Sequence, residues 1–331
     1  MIQIYNRDFD VLAEEHLKRI LATFPNIVVD LSSKIPEKTL GLKSVYKFLF
    51  KNINQIIIGN PTYINDTVIP YIDSKIGIDF FVEKDPTDGR TKKNKKESDE
   101  MKKIFNYDSF RIYDKETYNA YDLAHKLNIN VCPYCNRQYS NTLKPNSSMG
   151  GTRPTLDHFY IKSKYPYLAL SFWNLVPSCY SCNSQLRTNK DIGIHPYIKG
   201  FEGILHFQTE ITDLCEFIDN RNQNFDIKLK QNKKHSPSTI DIENANKNKD
   251  VFRLEDLYNQ CHKDYVKEII QKAIIYSPKY SENLYQNWED VFNNKNEAKR
   301  LMLGNYTNIE DLENRPLAKL TKDIAEELNL I

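Results

Sequence analysis

The chain has 331 residues, 40% of them apolar and 27% charged, with a net charge of +2 and ten glycines. That is ample for a hydrophobic core and unlike a disordered or fibrous composition. No apolar run approaches the ~20 residues of a membrane span, and neither a phosphate-loop pattern nor a dinucleotide-binding glycine fingerprint occurs, so nothing suggests a membrane protein or an NTPase.

The first residues, Met1-Ile2-Gln3-Ile4-Tyr5-Asn6-Arg7, lack the pattern of a secretory leader. A cytoplasmic, reducing setting is expected, with free thiols rather than disulfides. Phe9 to Phe24 puts Leu12, His16, Ile20 and Leu21 on one helical face, and Leu40 to Ile57 repeats apolar residues at helical spacing. His16 reads as a surface or half-buried helix residue. The polar stretch from Glu83 to Lys103, with Pro86, Gly89 and the run Lys92-Lys93-Asn94-Lys95-Lys96, reads as a long flexible loop, either solvated or a nucleic-acid-contacting arm. A helix is predicted from about Lys115 to Leu127, capped by Asp114. Beyond Lys199, Ile204 to Phe217 and Phe225 to Leu229 alternate as strands. Helices are then predicted over Val251 to Tyr276, Ser281 to Leu303 and Leu317 to Leu328. These elements divide the chain into a mainly helical region over 1–128 with a basic loop near 84–103, a central module over 129–200, and a C-terminal region over 201–331 with weak strands followed by helices.

Charge is concentrated in the central module. Between Cys132 and Lys199 eight basic residues face two acidic ones, a net +6 that leaves −4 for the rest of the chain. A polyanionic partner fits such a field.

Two C-x-x-C pairs frame that module, Cys132-Pro133-Tyr134-Cys135 and Cys179-Tyr180-Ser181-Cys182. Random placement of six cysteines would yield roughly 0.1 such pairs. Each pair forms a tight knuckle with two thiolates facing one ion, and two knuckles complete a closed tetrahedral site suited to structural Zn²⁺. A closed site has no open coordination position, so chemistry is expected between the knuckles rather than on this metal. Cys215 and Cys261 read as buried apolar residues. His195 reads as structural, and His125, His206, His235 and His262 have no ligand-spaced partner.

The interval holds Asp157-His158 at the end of a short apolar strand, Asn174-Leu175 in a second strand-like run, and Asn183 directly after the second knuckle, where a helix should begin. This strand, loop, strand, helix order resembles the HNH nuclease motif, or ββα-metal fold, in its zinc-knuckle form. The resemblance covers about Cys132 to Lys190. It implies an α+β chain in which a ββα-metal HNH module, stapled by a four-cysteine zinc site, lies between mainly α-helical N- and C-terminal regions. Carried over by position, it makes Asp157 the metal-binding acid, His158 the general base, Asn174 the residue that fixes the loop, and Asn183 the closing metal ligand. Many members close with His, so Asn183 departs from the commonest letter.

The chemistry agrees with those roles. An imidazole with a pKa near 6.5 can take a proton from water at neutral pH. Two oxygen ligands suit a hard cation, Mg²⁺ or Mn²⁺. Neighbours on a strand point to opposite faces, so Asp157 and His158 take different roles. Lys162, Lys164 and Arg187 flank the site and are candidate phosphate contacts.

The phrase Asp157-His158-Phe159-x-x-Lys162-Ser163-x-Tyr165-Pro166 is similar to a bacterial HNH group that accompanies ATPase partners in anti-phage defence. That similarity implies a DNA-cleaving effector gated by a partner protein, with DNA favoured over RNA as substrate. Two alternatives are an RNA-cleaving nuclease built on the same module, and a non-catalytic zinc module that binds nucleic acid or a partner protein.

Overall fold

A computed structural model describes residues 1–5, 7–82, 89–211, 225–232, 234–276 and 279–331. The fold is α+β, many helices with two separate two-stranded sheets. It divides into two compact units of interleaved segments: unit 1 comprises Met1–Asn6, Ile129–Asn141 and Ser178–Ile331, and unit 2 comprises Arg7–Asn128 and Thr142–Pro177. The stretch 129–200 therefore contributes residues to both.

Unit 2 is mainly helical. The helix Phe9–Thr23 starts where Asp8 accepts a hydrogen bond from the Val11 N–H, and it buries Ala13, His16, Leu17 and Ile20 on one face. The predicted run from Leu40 is two helices, Leu40–Lys51 and Ile53–Ile58. They break at Asn52, whose side-chain amide donates to the Phe48 carbonyl in competition with the helical backbone. The helix predicted from Lys115 begins later, as Ala120–Leu127, because Asn119 and Asp122 form a capping box. Asp114 instead accepts hydrogen bonds from the Glu116 N–H and the Thr117 hydroxyl.

Gly89–Ile104 is a helix and not the expected loop; the remainder of that loop, 83–88, lies outside the described residues. Its sequence shows little apolar periodicity, since its anchors are two buried apolar residues, Met101 and Ile104, and a set of charges. Lys38, its side chain 7% exposed, bonds to both Glu97 and Glu100 and lies over the Tyr46 ring at 4.9 Å. A buried ammonium held by two carboxylates fixes this helix against the Leu40–Lys51 segment that carries Tyr46.

His16 is fully buried, where a surface or half-buried position is expected from the sequence. Its Nε2 lies 2.9 Å from the Leu170 carbonyl and its Nδ1 2.9 Å from the Tyr118 hydroxyl. A carbonyl only accepts, so Nε2 carries the hydrogen and Nδ1 accepts from the tyrosine. Burial lowers its pKa to about 4, against the opposing effect of the Leu170 carbonyl. The unfolded chain takes up this proton near pH 6.5 and the folded chain only near 4. Stability is thus intact above about pH 6.5 and falls as pH drops through that window, by up to about 3 kcal/mol. Denaturant titrations across the window should show a steeper loss for wild type than for His16→Gln; equal slopes would refute this assignment.

Unit 1 contains the ribbon β3 (Leu205–Ile211) and β4 (Phe225–Gln231), antiparallel, with Leu205 opposite Gln231 and Ile211 opposite Phe225. Both expected strands are present; residues 212–217 of the first lie outside the described residues. Leu205, Phe207, Phe225, Ile227 and Leu229 are buried, the alternation of a sheet with one covered face. An isolated ribbon leaves two rows of unpaired edge groups. Here flanking helices supply the partners: Asp323 and Glu327 accept from the Phe207 and Thr209 N–H groups, and Asn259 and Glu255 accept from those of Ile227 and Leu229. The acceptors come from the helices Ala318–Glu327 and Leu254–Cys261. The predicted run Val251 to Tyr276 is broken at His262, where Lys263–Ile275 begins, and Ser281 to Leu303 is two helices, Tyr280–Asn287 and Lys295–Leu303. Cys261 is exposed, contrary to the expected burial, and Cys215 lies outside the described residues.

Candidate functional site

The four cysteines of the two C-x-x-C pairs meet inside unit 1. All are buried, and their sulfurs lie within 4.8 Å of one another. Cys135 Sγ and Cys179 Sγ are 3.9 Å apart, close to the ~3.8 Å that a tetrahedron of 2.3 Å Zn–S bonds requires. Among the described residues this is the one group of three or more His, Cys, Asp or Glu side chains whose ligand atoms are near enough to share an ion. The donor set fits a metal ion such as zinc.

Local structure explains the convergence. The first knuckle lies within a narrow loop in which the Cys132 N–H donates to the Gln138 carbonyl and Val131 bridges Tyr139. It turns through Asn136, whose N–H returns to the Cys132 carbonyl and whose φ of +50° is a conformation asparagine tolerates. In the second knuckle the Cys182 N–H points at Cys179 Sγ at 3.5 Å. Hydrogen bonds from Cys132, Cys179 and Cys182 hold the Cys135 thiol well below the ordinary thiol range, while burial pushes Cys132 up. A cation would let buried thiols such as Cys132 ionise alongside Cys135.

The strand β1 (Thr155–His158) pairs with β2 (Leu175–Ser178). As expected, Asp157-His158 ends the first strand. Asn174, expected with Leu175 inside the second, instead ends the 3-10 turn Phe172–Asn174 that leads into it. Asp157 is buried and His158 half-buried. His158 Nε2 is 3.1 Å from the Ala169 carbonyl, which can only accept, so Nε2 carries a hydrogen and the neutral imidazole has its lone pair on Nδ1.

Asn174 is fully buried and closes the loop between the strands. Its Oδ1 accepts from the Tyr160 N–H at 2.6 Å, and its Nδ2 donates to the Tyr160 and Leu168 carbonyls at 3.2 and 2.8 Å. Its own carbonyl accepts from the Phe159 N–H. One side chain thereby ties the backbone just after His158 to the backbone just before Ala169, the two ends of the imidazole's support.

Asn183 belongs to unit 1, inside the short π-type helix Ser181–Arg187 rather than at its start, with its N–H donating to the Cys179 carbonyl. Arg187 is fully buried, with Nε donating to the Lys190 carbonyl, which withdraws it from any surface where phosphates are met. Lys164 pairs with Asp79 at 2.9 Å, an ion pair that raises the lysine pKa well above its ordinary value. Lys162 forms a more exposed pair with Asp108 at 3.3 Å. His195 is buried, and its Nδ1 accepts from the Tyr197 N–H, in keeping with a structural role.

One neighbour of His158 carries no sequence signal. The Tyr107 ring lies edge-to-face with the imidazole at 4.4 Å between centroids, and its hydroxyl donates to the Leu156 carbonyl at 3.4 Å.

No protein-family model matches this chain, and no match was found among curated proteins or solved structures.

Proposed function

We propose that this chain is a metal-dependent endonuclease of the HNH type that hydrolyses phosphodiester bonds, with DNA as its main substrate and the four cysteines holding a structural zinc. The observation that carries the reading is the His158–Ala169 hydrogen bond, which puts the lone pair of a half-buried imidazole on Nδ1 at the end of a strand, directly after a buried carboxylate.

His158 Nδ1 takes a proton from water as the water oxygen bonds to phosphorus and the bond from phosphorus to the leaving oxygen breaks. Asp157 is the acid that would hold Mg²⁺ or Mn²⁺, and the bound ion would offset charge on the phosphate and on the leaving oxygen. Asn183 enters as the closing ligand through the motif resemblance alone. Asn174 holds the loop on which the geometry of His158 depends. The setting in anti-phage defence, with an ATPase as partner, likewise rests on the resemblance of the Asp157 to Pro166 phrase.

Supercoiled plasmid and total RNA, each incubated with purified protein in Mg²⁺ or Mn²⁺ and in EDTA, test the reading. Metal-dependent nicking or linearisation should be lost in His158→Ala while the protein stays folded. Cleavage of RNA alone would keep the mechanism and overturn the substrate. Cleavage that persists in His158→Ala would remove the base.

A further inference from the structure

We infer that Tyr107 is a positioning residue, its single ring fixing both the imidazole of His158 and the ammonium of Lys162, so that the base and a contact to the nucleic-acid backbone are set by one side chain. This rests on the nuclease reading of His158.

The ring meets the His158 imidazole at 4.4 Å with an interplanar angle of 76°, and Lys162 Nζ lies 5.1 Å from the centre of the same ring. An edge-to-face pair restrains imidazole rotation, and a cation over an aromatic face is attracted by the negative face of the ring. The ring is itself anchored through the Leu156 carbonyl, on the strand that carries Asp157 and His158. Burial, the leading cause, pushes the Tyr107 hydroxyl up to about 12, so it stays a neutral donor at working pH.

Lys162 differs from its neighbour Lys164 in what it can release. The Lys162–Asp108 pair is loose, with side chains 33% and 71% exposed, and such pairs contribute little. A phosphate, which offers more acceptor oxygens than the carboxylate, can displace Asp108 while the cation stays over Tyr107. Lys164 is committed to Asp79. The ligand class is therefore the phosphodiester backbone, met at Lys162 beside the base.

The test uses the full chain. Ring-nitrogen NMR of the histidines, with the His158 signals identified by their loss in His158→Gln, reports the tautomer without requiring activity. Wild type and Tyr107→Phe should show the Nε2–H form, and Tyr107→Leu a mixture of tautomers. In EDTA, Lys162→Ala should lower the slope of log affinity for duplex DNA against log salt by about 0.9. Tyr107→Leu should shift the slope in the same direction, and the double variant should lose no more than Lys162→Ala alone. A folded Tyr107→Leu that keeps the wild-type tautomer and slope overturns the inference. Should that variant not fold, an unchanged slope in Lys162→Ala overturns it equally. A wild type that cleaves neither DNA nor RNA defeats the nuclease reading and leaves the tautomer result to stand by itself.

Discussion

Cys182→Ser unfolds unit 1, and metal chelation of the wild-type protein does the same. The reason is what the cysteine loops hold. Besides its own turn, the first knuckle presents the Pro133 carbonyl to the Ile2 N–H and the Cys135 carbonyl to the Tyr258 hydroxyl, at 2.9 and 2.7 Å. Asn136 donates to the Leu312 carbonyl and accepts from the Lys319 N–H, and its carbonyl accepts from the Leu317 N–H. Tyr134 stacks on Phe252 at 4.5 Å. The N-terminal strip, the helices after β4 and the last helix are therefore all tied to one loop. Structural zinc contributes on the order of 10 kcal/mol of binding free energy, comparable with the whole stability of a domain. Native mass spectrometry should find one zinc per wild-type chain and none after the substitution. The near-ultraviolet circular dichroism of the tyrosines should collapse, and the melting transition should drop or vanish. A Cys182→Ser protein that melts like wild type would show that the four thiols are only packed core.

How much of this was legible in the sequence depends on how local the cause is. The cysteine cluster follows from spacing and thiol chemistry within two short segments, and it formed as read. The strand end at Asp157-His158 is equally local, whereas Asn174 falls in the turn before β2 and not inside the strand-like run. What failed was set by tertiary partners. The helix Gly89–Ile104 shows little stripe of apolar residues because Lys38, far away in sequence, anchors its carboxylates. His16 reads as a surface or half-buried residue because its two hydrogen-bond partners lie 102 and 154 residues along the chain. Arg187 reads as a phosphate contact because it flanks the site in sequence, yet its side chain is buried and donates to a carbonyl. Tyr107 could not be found at all, since it reaches the site across 49 residues through a ring contact and one long hydrogen bond that no motif encodes. The interleaving of the two units was invisible for the same reason, because nothing at Asn141 or Pro177 marks a change of unit.

Asn174→Ala destabilises unit 2 by about 3–5 kcal/mol, a loss large for one polar side chain. The substitution deletes three hydrogen bonds at once in a fully buried position and takes the side-chain partner from both the N–H and the carbonyl of Tyr160, while the Leu168 carbonyl keeps the Ser171 N–H. Each stranded group costs about 1–3 kcal/mol, beyond the small cavity left behind. Asn174→Asp should fare no better, since a carboxylate satisfies the Tyr160 N–H but faces two carbonyl oxygens with no hydrogen to give. His158→Ala is the matched control. That side chain is half-buried where Asn174 is fully buried, so its removal should cost less stability than Asn174→Ala and abolish cleavage. Chemical denaturation of the three variants separates the two roles. If Asn174→Ala loses no more stability than His158→Ala, Asn174 does not hold the loop, and the support it gives to the imidazole falls with it.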